Sequence, residues 1–232
     1  MIIVDILSLL KKKFKSNKKS YSFGSVDLLI NYYFKDKQKG IYLDVGCQHP
    51  ISNNNTYLLH KKGWSGINID LDAKSIQLFN LARSNDVNIN TAVSSGKFTK
   101  DLFFYHDKSA INTIEKKIAD YQSAKVMEIR SITTETLTSI LTDNQINKID
   151  YLNIDVEGHE IDVLNGFDIN KFSPDIISIE FLDLAMKKLE FKNNNINNVL
   201  NSDIYKYMTK NGYGLINWNH ADLIFINNKL RD

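Results

Sequence analysis

The chain of 232 residues is short of the residues that cross-link and punctuate small proteins, with one cysteine, two prolines and ten glycines. Cys47 has no partner, so a disulfide scaffold is excluded and a reducing compartment, the cytoplasm, is the default expectation. No apolar run approaches the roughly 18 residues of a membrane-spanning helix. Net charge is small as well. Lys+Arg total 29 and Asp+Glu 27, and a balance of +2 gives no argument for a polyanionic partner. What is present is ordinary globular material, 43% apolar and 24% charged, long enough for one substantial core.

The small net charge hides an uneven distribution. Residues 1–20 hold six lysines (Lys11, Lys12, Lys13, Lys15, Lys18 and Lys19) and one acid, Asp5, which leaves the remainder net acidic. The apolar residues Ile2, Ile3, Val4, Ile6, Leu7, Leu9 and Leu10 precede the lysines, the reverse of a secretory signal, and no small-residue cleavage site follows. Two destinations stand open for this arm. One is the inner face of an anionic membrane, where each lysine adds about 1 kcal/mol of attraction and residues 1–19 make a peripheral contact. The other is packing on the domain itself or on a second subunit, as in a homodimer. Residues 21–232 are expected to form one domain.

From residue 41 onward, short β-branched runs alternate with helical patterns, the mark of an α/β protein with a mostly parallel sheet covered on both faces. Ile41–Val45, Ile67–Asp70, Val87–Val93, Ile149–Asp155 and Ile176–Phe181 read as strands. Helices are expected near 50–62, 73–84, 134–144 and 200–211, with another beginning near Glu160. Leu102–Tyr105 and Val126–Ile132 are extended segments within an insertion at about 101–134. Tyr213–Trp218 and Leu223–Asn227, around a turn at Asn219–Asp222, suit a closing antiparallel hairpin. The asparagine-rich stretch 193–198 reads as a loop.

Ligands of open α/β sheets lie beyond the carboxyl ends of the strands. The first strand delivers Asp44-Val45-Gly46 there, and the second ends on Asp70. An acid at that second position can accept hydrogen bonds from both hydroxyls of an adenosine ribose. The alternative is that Asp44 caps a turn and Asp70 the following helix. Gly46 is followed by Cys47-Gln48-His49-Pro50 and lacks the later glycines of a pyrophosphate loop, which disfavours a nicotinamide dinucleotide. S-adenosylmethionine, a nucleoside cofactor without phosphate, fits. Cys47 reads as a small filler beside this loop.

The densest chemistry lies in Asn153-Ile154-Asp155-Val156-Glu157-Gly158-His159-Glu160, at the end of the expected central strand. Charges packed beside a buried apolar run are costly unless a cleft or a partner receives them. The run Ile154–Gly158 with Glu160 and the later Leu164-Asn165-Gly166 resembles the hallmark of the FkbM family of S-adenosylmethionine-dependent methyltransferases. Ser20-Tyr21-Ser22-x-Gly24, Asp44-Val45-Gly46, Ser52-Asn53, Thr56-Tyr57 and Gly63-Trp64-x-Gly66 extend the resemblance over about residues 20–182. Two departures stand out: His49-Pro50 replaces a common glycine, and Asn153 a common lysine.

The resemblance implies a Rossmann-like class I methyltransferase fold with a seven-stranded sheet. It further implies that S-adenosylmethionine is bound by Asp44, Gly46, Asn53, Thr56, Asp70, Leu71, Ala92, Val93 and Asp155. The reaction implied is methyl transfer to an acceptor oxygen, with a sugar hydroxyl of a bacterial surface polysaccharide, or of a small precursor, as the acceptor. Such a hydroxyl needs a base, for which Asp155, Glu157 and His159 are candidates, His159 equally as a group that supports the site from behind or caps the following helix. In a continuing strand the three would share one face. Glu180, ending the next strand, is also expected in the cleft unless Lys187 or Lys188 pairs with it, and Ser109–Thr113 could close over the acceptor. A metal on Asp155, Glu157 and His159 would suit Mg²⁺ or Mn²⁺. A sulfonium donor needs no Lewis acid, so none is expected. N-methylation of a small amine and a non-catalytic nucleotide-binding or scaffold domain remain as alternatives. A nucleic-acid substrate is disfavoured by the acidic body.

Overall fold

The computed structural model describes residues 19–181, 195–219 and 221–231. The apolar and lysine-rich stretch 1–18, and with it the choice between membrane and subunit contact, lies outside them, as do Lys187 and Lys188. Seven strands form the large sheet, in the order β3-β2-β1-β7-β8-β10-β9. They are β1 (Ile41–Val45), β2 (Ser65–Asp70), β3 (Val87–Asn90), β7 (Tyr151–Ile154), β8 (Ile176–Glu180), β9 (Tyr213–Asn219) and β10 (Asp222–Asn227). Pairing is parallel from β3 across to β8, and β10 runs antiparallel to both β8 and β9. The chain starts in the middle, winds outward to β3, then returns to β7 on the other side of β1. That reversal makes the β1–β7 boundary the place where crossovers diverge and a crevice opens.

The period-2 alternation of each strand sorts side chains onto two faces. Leu43, Val45, Leu152, Ile154, Ile177, Ile179, Leu223 and Phe225 belong to the larger core. They pack with α5 (Leu137–Asp143), α6 (Glu160–Asn165), α7 (Ile169–Phe172), α8 (Ile196–Leu200) and α9 (Asp203–Lys210). Tyr42, Tyr151, Ile176 and Ile224 face the other way, against Val26, Ile30 and Phe34 of α1 (Val26–Tyr33) and its end, and Leu59 of α2 (Tyr57–Lys61). Helices therefore cover both faces. Cys47 is buried with Ile76 and Phe79 of α3 (Ala73–Ala82), as a filler would be.

A second, three-stranded sheet, β4-β6-β5, is built from Ala92–Val93, Glu128–Glu135 and Thr99–Phe104. The short helix α4 (Lys116–Tyr121) lies between β5 and β6 in the chain. The strand expected over 87–93 is thus two strands: Thr91 N donates to Asp70 O at 3.0 Å, and beyond it the chain leaves β2 for β6. The helix expected over 50–62 is confined to 57–61. Residues 46–56 form a loop instead, because Arg83 holds them from outside by bonds to Pro50 O, Asn54 and Thr56. Of the asparagine-rich stretch, Asn195 caps a helix that includes Ile196–Asn198, accepting from Asn197 N at 3.0 Å. No helix among the described residues is long and apolar enough to cross a membrane.

Candidate active site

The carboxyl ends of β1, β2, β7 and β8 open into a cleft of about 180 Å³. Its wall includes Asp44, Gly46, Asn53, Asp70, Leu71, Ala92, Val93, Asp155, Glu157, His159 and Glu180, so nearly every residue expected in the site is present. Thr56 is the exception. It is fully buried behind Asp44, donating to Asp44 Oδ2 at 2.8 Å while Arg83 Nη1 donates to it at 2.8 Å. Its role is to hold Asp44, and it does not reach the ligand space.

Asp44 is buried and saturated on the protein side. Asn54 Nδ2 donates to Oδ2 at 3.0 Å and Asn153 Nδ2 to Oδ1 at 2.9 Å. The strand register explains this, since Asn68, Asp44, Asn153 and Ser178 stand side by side on one face. Asn153 passes the chain of bonds on by accepting from Ser178 Oγ at 2.6 Å. Asp70 spreads its two oxygens over two backbone donors, Gln48 N at 2.8 Å and Asp72 N at 2.7 Å. Burial pushes its carboxyl up to about 7 against the help of those donors, with the charges of Asp72 and Asp44 adding to the rise. Neither acid takes the capping role open to it: Asp72 caps α3 by accepting from Lys74 N.

Gly46 explains why the first-strand motif ends in glycine. Its φ is +79°, and a Cβ there would sit 1.7 Å from Asp155 O. The loops after β1 and β7 thus touch backbone to backbone, which only glycine permits. Gly166, the last residue of the Leu-Asn-Gly motif, is held to glycine by a similar approach, 2.2 Å from a hypothetical Cβ to Ser94 O.

β7 ends at Ile154, so the alternation that would align Asp155, Glu157 and His159 does not continue. Glu157, at φ +54°, and Gly158, at +93°, turn the chain into α6. Thr113 of the insertion donates to Glu157 O at 2.9 Å, and Glu160 accepts from Val156 N and Gly158 N. His159 is swung away by that turn and clamped, with Nδ1 2.6 Å from Glu115 Oε1 and Nε2 2.9 Å from Ser94 Oγ. Both ring nitrogens are engaged, and the residue is 1% exposed. It borders the cleft without a free nitrogen to offer, which corrects the expectation of His159 as a base.

Glu180 takes its place. One oxygen each from Asp155, Glu157 and Glu180 lie within 4.8 Å of one another. Burial raises all three carboxyls: Asp155 to about 6, with the charge of Asp44 adding to the rise and a hydrogen bond with Glu180 opposing it, Glu157 to about 8, with repulsion from Asp155 and Glu160, and Glu180 well above its usual range, with repulsion from Asp155 and Glu157. Among the wall residues without a sequence signal are Asp222 and Asn55. Asp222 pairs with Glu180 across β10 and β8, and Asn55 donates to it at 3.2 Å. Only the antiparallel return of β10 brings Asp222 there. Ser109, Ala110 and Asn112 of the insertion complete the wall, with Gln48 Nε2 donating to Lys108 O at 3.0 Å.

A family model described as Methyltransferase FkbM domain matches residues 44–215, well over half of the chain. The chain belongs to the FkbM methyltransferase family. The match starts at Asp44 and reaches Leu215 in β9, whereas the motifs legible in the sequence cover about 20–182. Searches of curated proteins and of solved structures gave no match. In this FkbM protein the two segments of the family motif have separable tasks. Asp155 and Glu157 face the cleft, while Glu160 and His159 hold the turn that presents them.

Proposed function

We propose that this FkbM protein is an S-adenosylmethionine-dependent methyltransferase of the Rossmann-like class I fold that methylates a sugar hydroxyl, in a bacterial surface polysaccharide or a small precursor of one. The observation that carries the reading is the sign of the cleft. Asp44, Asp70, Asp155, Glu157, Glu180 and Asp222 line it, and no lysine or arginine does among the described residues. A cofactor bearing phosphates would be repelled there, and a cationic nucleoside without phosphate is attracted. The crevice also stands where the winding of the sheet reverses, between β1 and β7, the expected place for a nucleoside cofactor.

When bound, S-adenosylmethionine supplies a methyl group already activated by a positive sulfur. The chain's own residues do the rest. Asp70, its two oxygens fixed by Gln48 N and Asp72 N, accepts from the ribose hydroxyls. Gly46 lets the loop after β1 lie against the backbone of Asp155, and Asn53, Leu71, Ala92 and Val93 supply the remaining wall. Asp155 and Glu157, at the end of the central strand, orient the acceptor hydroxyl and take up its proton. Such alignment supplies on the order of 7–11 kcal/mol of barrier lowering, and a positioned base a further factor of about 10²–10⁴.

The acceptor class rests on the family resemblance. The acidity of the cleft equally favours an amine acceptor, and the methylated product distinguishes the two. Isothermal titration of folded protein with S-adenosylmethionine is expected to show micromolar binding. No heat of binding to protein that is demonstrably folded would sink the proposal.

A further inference from the structure

The cleft has two ends, and the sheet order separates them. Asp70 closes β2 and Asp222 opens β10, with β1, β7 and β8 between, so four strand spacings put the two residues about 19 Å apart along the sheet. The nucleoside reading occupies the Asp70 end. At the other end the wall includes Phe23, Asn55 and Asp222. Phe23 and Asn55 have no part in that reading, and Asp222 enters it only by its charge. A run of bonds that starts at Asp44 sets the polar part. Asp44 Oδ1 takes Asn153 Nδ2 at 2.9 Å, so Asn153 presents Oδ1 to Asn55, whose Nδ2 donates to it at 2.9 Å and to Asp222 Oδ1 at 3.2 Å. Asn55 is thereby held by its amide nitrogen. Its Oδ1 and the second oxygen of Asp222 are left as acceptors with no donor among the described residues.

Phe23 adds an apolar face. It is 58% exposed, yet the turn that carries it is fastened on every side. Asp27, fully buried, accepts from Ser20 Oγ at 2.6 Å, Tyr21 N at 2.7 Å and Ser22 Oγ at 3.0 Å. Asn54 N donates to Tyr21 O at 3.0 Å and Asn219 Nδ2 to Gly24 O at 2.8 Å, which ties the turn to the 46–56 loop and to the β9–β10 hairpin. Those are the two segments that carry Asn55 and Asp222. Left-handed backbone at Gly24 (φ +64°) and Ser25 (φ +63°) completes the turn, a conformation that a serine keeps only where its surroundings fix it. A lone exposed phenylalanine is ordinary. One fixed at the rim of a cleft, tied to the two segments that offer open acceptors, gives the Ser20–Gly24 motif a task.

We propose that Phe23, Asn55 and Asp222 form the acceptor subsite and select a saccharide ring, its C–H face stacked on Phe23 and its hydroxyls donating to Asp222 and Asn55. A saccharide ring has an apolar face and a polar edge, and this wall offers one partner for each. A small amine has neither the face nor the adjacent hydroxyls. The assignment rests on the methyltransferase reading for its purpose and deepens it, by naming the residues that choose the acceptor and placing them at the opposite end of the cleft from Asp70.

The test applies the full-length protein, with excess S-adenosylhomocysteine, to an array of monosaccharide glycosides and bacterial surface glycans, and then titrates the strongest ligand by calorimetry. Saccharide binding is expected. Phe23→Ala should weaken it about tenfold, and Asp222→Asn, which turns an acceptor into a donor, tenfold or more. Phe23→Trp keeps a stacking face and should retain binding. Affinity for S-adenosylhomocysteine should be unchanged in all three variants. Phe23 is exposed, and Asp222→Asn keeps the side-chain shape while removing a charge that Asp155 repels, so neither site should lower the melting temperature. Protein that binds S-adenosylhomocysteine but no saccharide overturns the subsite and leaves the methyltransferase reading standing. Saccharide binding that Phe23→Ala weakens, in protein that does not bind S-adenosylhomocysteine, supports the ring contact and removes that reading. Saccharide affinity unchanged in both Phe23→Ala and Asp222→Asn places the acceptor elsewhere and overturns the assignment. Loss of S-adenosylhomocysteine in those variants puts the nucleoside at this end and overturns it as well.

Discussion

Replacing Asp70 by Asn separates the two demands on that residue, stability of the free protein and capture of a ribose. Its carboxyl is buried and pushed up to about 7, against about 3.9 in an unfolded chain. The unfolded chain gives up the proton near pH 4, and the folded protein keeps it until near pH 7. Raising the pH between those limits therefore stabilises the unfolded state alone, and the cost is complete above pH 7. At about 1.4 kcal/mol for each tenfold change in proton affinity, the gap corresponds to about 4 kcal/mol as an upper bound. Asp70→Asn removes that pH-dependent cost. It also gives up one acceptor for the backbone donors Gln48 N and Asp72 N, a loss of about 1–3 kcal/mol that does not vary with pH. Denaturant unfolding of both proteins without ligand, at pH 5 and pH 8, is expected to show the unsubstituted protein losing up to about 2.6 kcal/mol more than the variant over that range, the rest of the cost having been incurred below pH 5. Its affinity for S-adenosylmethionine should rise about tenfold from pH 6 to pH 8 as Asp70 ionises, and the variant should bind weakly at both. Parallel pH dependences of stability would refute the burial argument. Equal affinity in the variant would refute Asp70 as the ribose acceptor.

Further outcomes follow from single contacts. Gly46→Ala places a Cβ against Asp155 O and demands φ +79° of an alanine, a backbone cost of about 1–2 kcal/mol before the clash is relieved. Calorimetry should show cofactor binding lost, and unchanged affinity would mean that the β1 and β7 loops need not touch. Arg83→Met strips bonds from Pro50 O, Asn54, Thr56 and Tyr42. Urea unfolding is expected to show a loss of at least about 3 kcal/mol, and a loss below about 1 kcal/mol would remove Arg83 as the organiser of the 46–56 loop. His159→Ala frees Glu115 and Ser94 and should cost about 2 kcal/mol, with faster amide exchange in Lys116–Tyr121. The pH profile of kcat/KM should keep its shape, whereas loss of one limb would restore His159 as a base.

The strands were legible because each is a β-branched apolar run, and the order of the runs implied the parallel sheet. The break at Thr91 was not, because the sequence stays strand-like across it and only the competing partner, β6, draws Ala92–Val93 away. The extent of the 46–56 loop was hidden for a similar reason: it is set by Arg83, distant in sequence. In the site, Asp44, Asp70, Asp155 and Glu157 were readable as strand-end acids. Asp222 was not, since it reaches the cleft at the start of a reversed strand, and Thr56 was misplaced because its contact with Asp44 is a packing detail. The group from Asp155 to His159 failed at its last member, where an unanticipated left-handed turn at Glu157 and Gly158 ended the strand alternation.

The central claim is that a nucleoside methyl donor lies between Asp70 and the acids after the central strand. A crystal structure with S-adenosylhomocysteine tests it most directly. The ribose hydroxyls should face Asp70, and the sulfur should point toward Asp155 and Glu157. A sulfur far from both acids, or a nucleoside bound outside this cleft, would contradict the account.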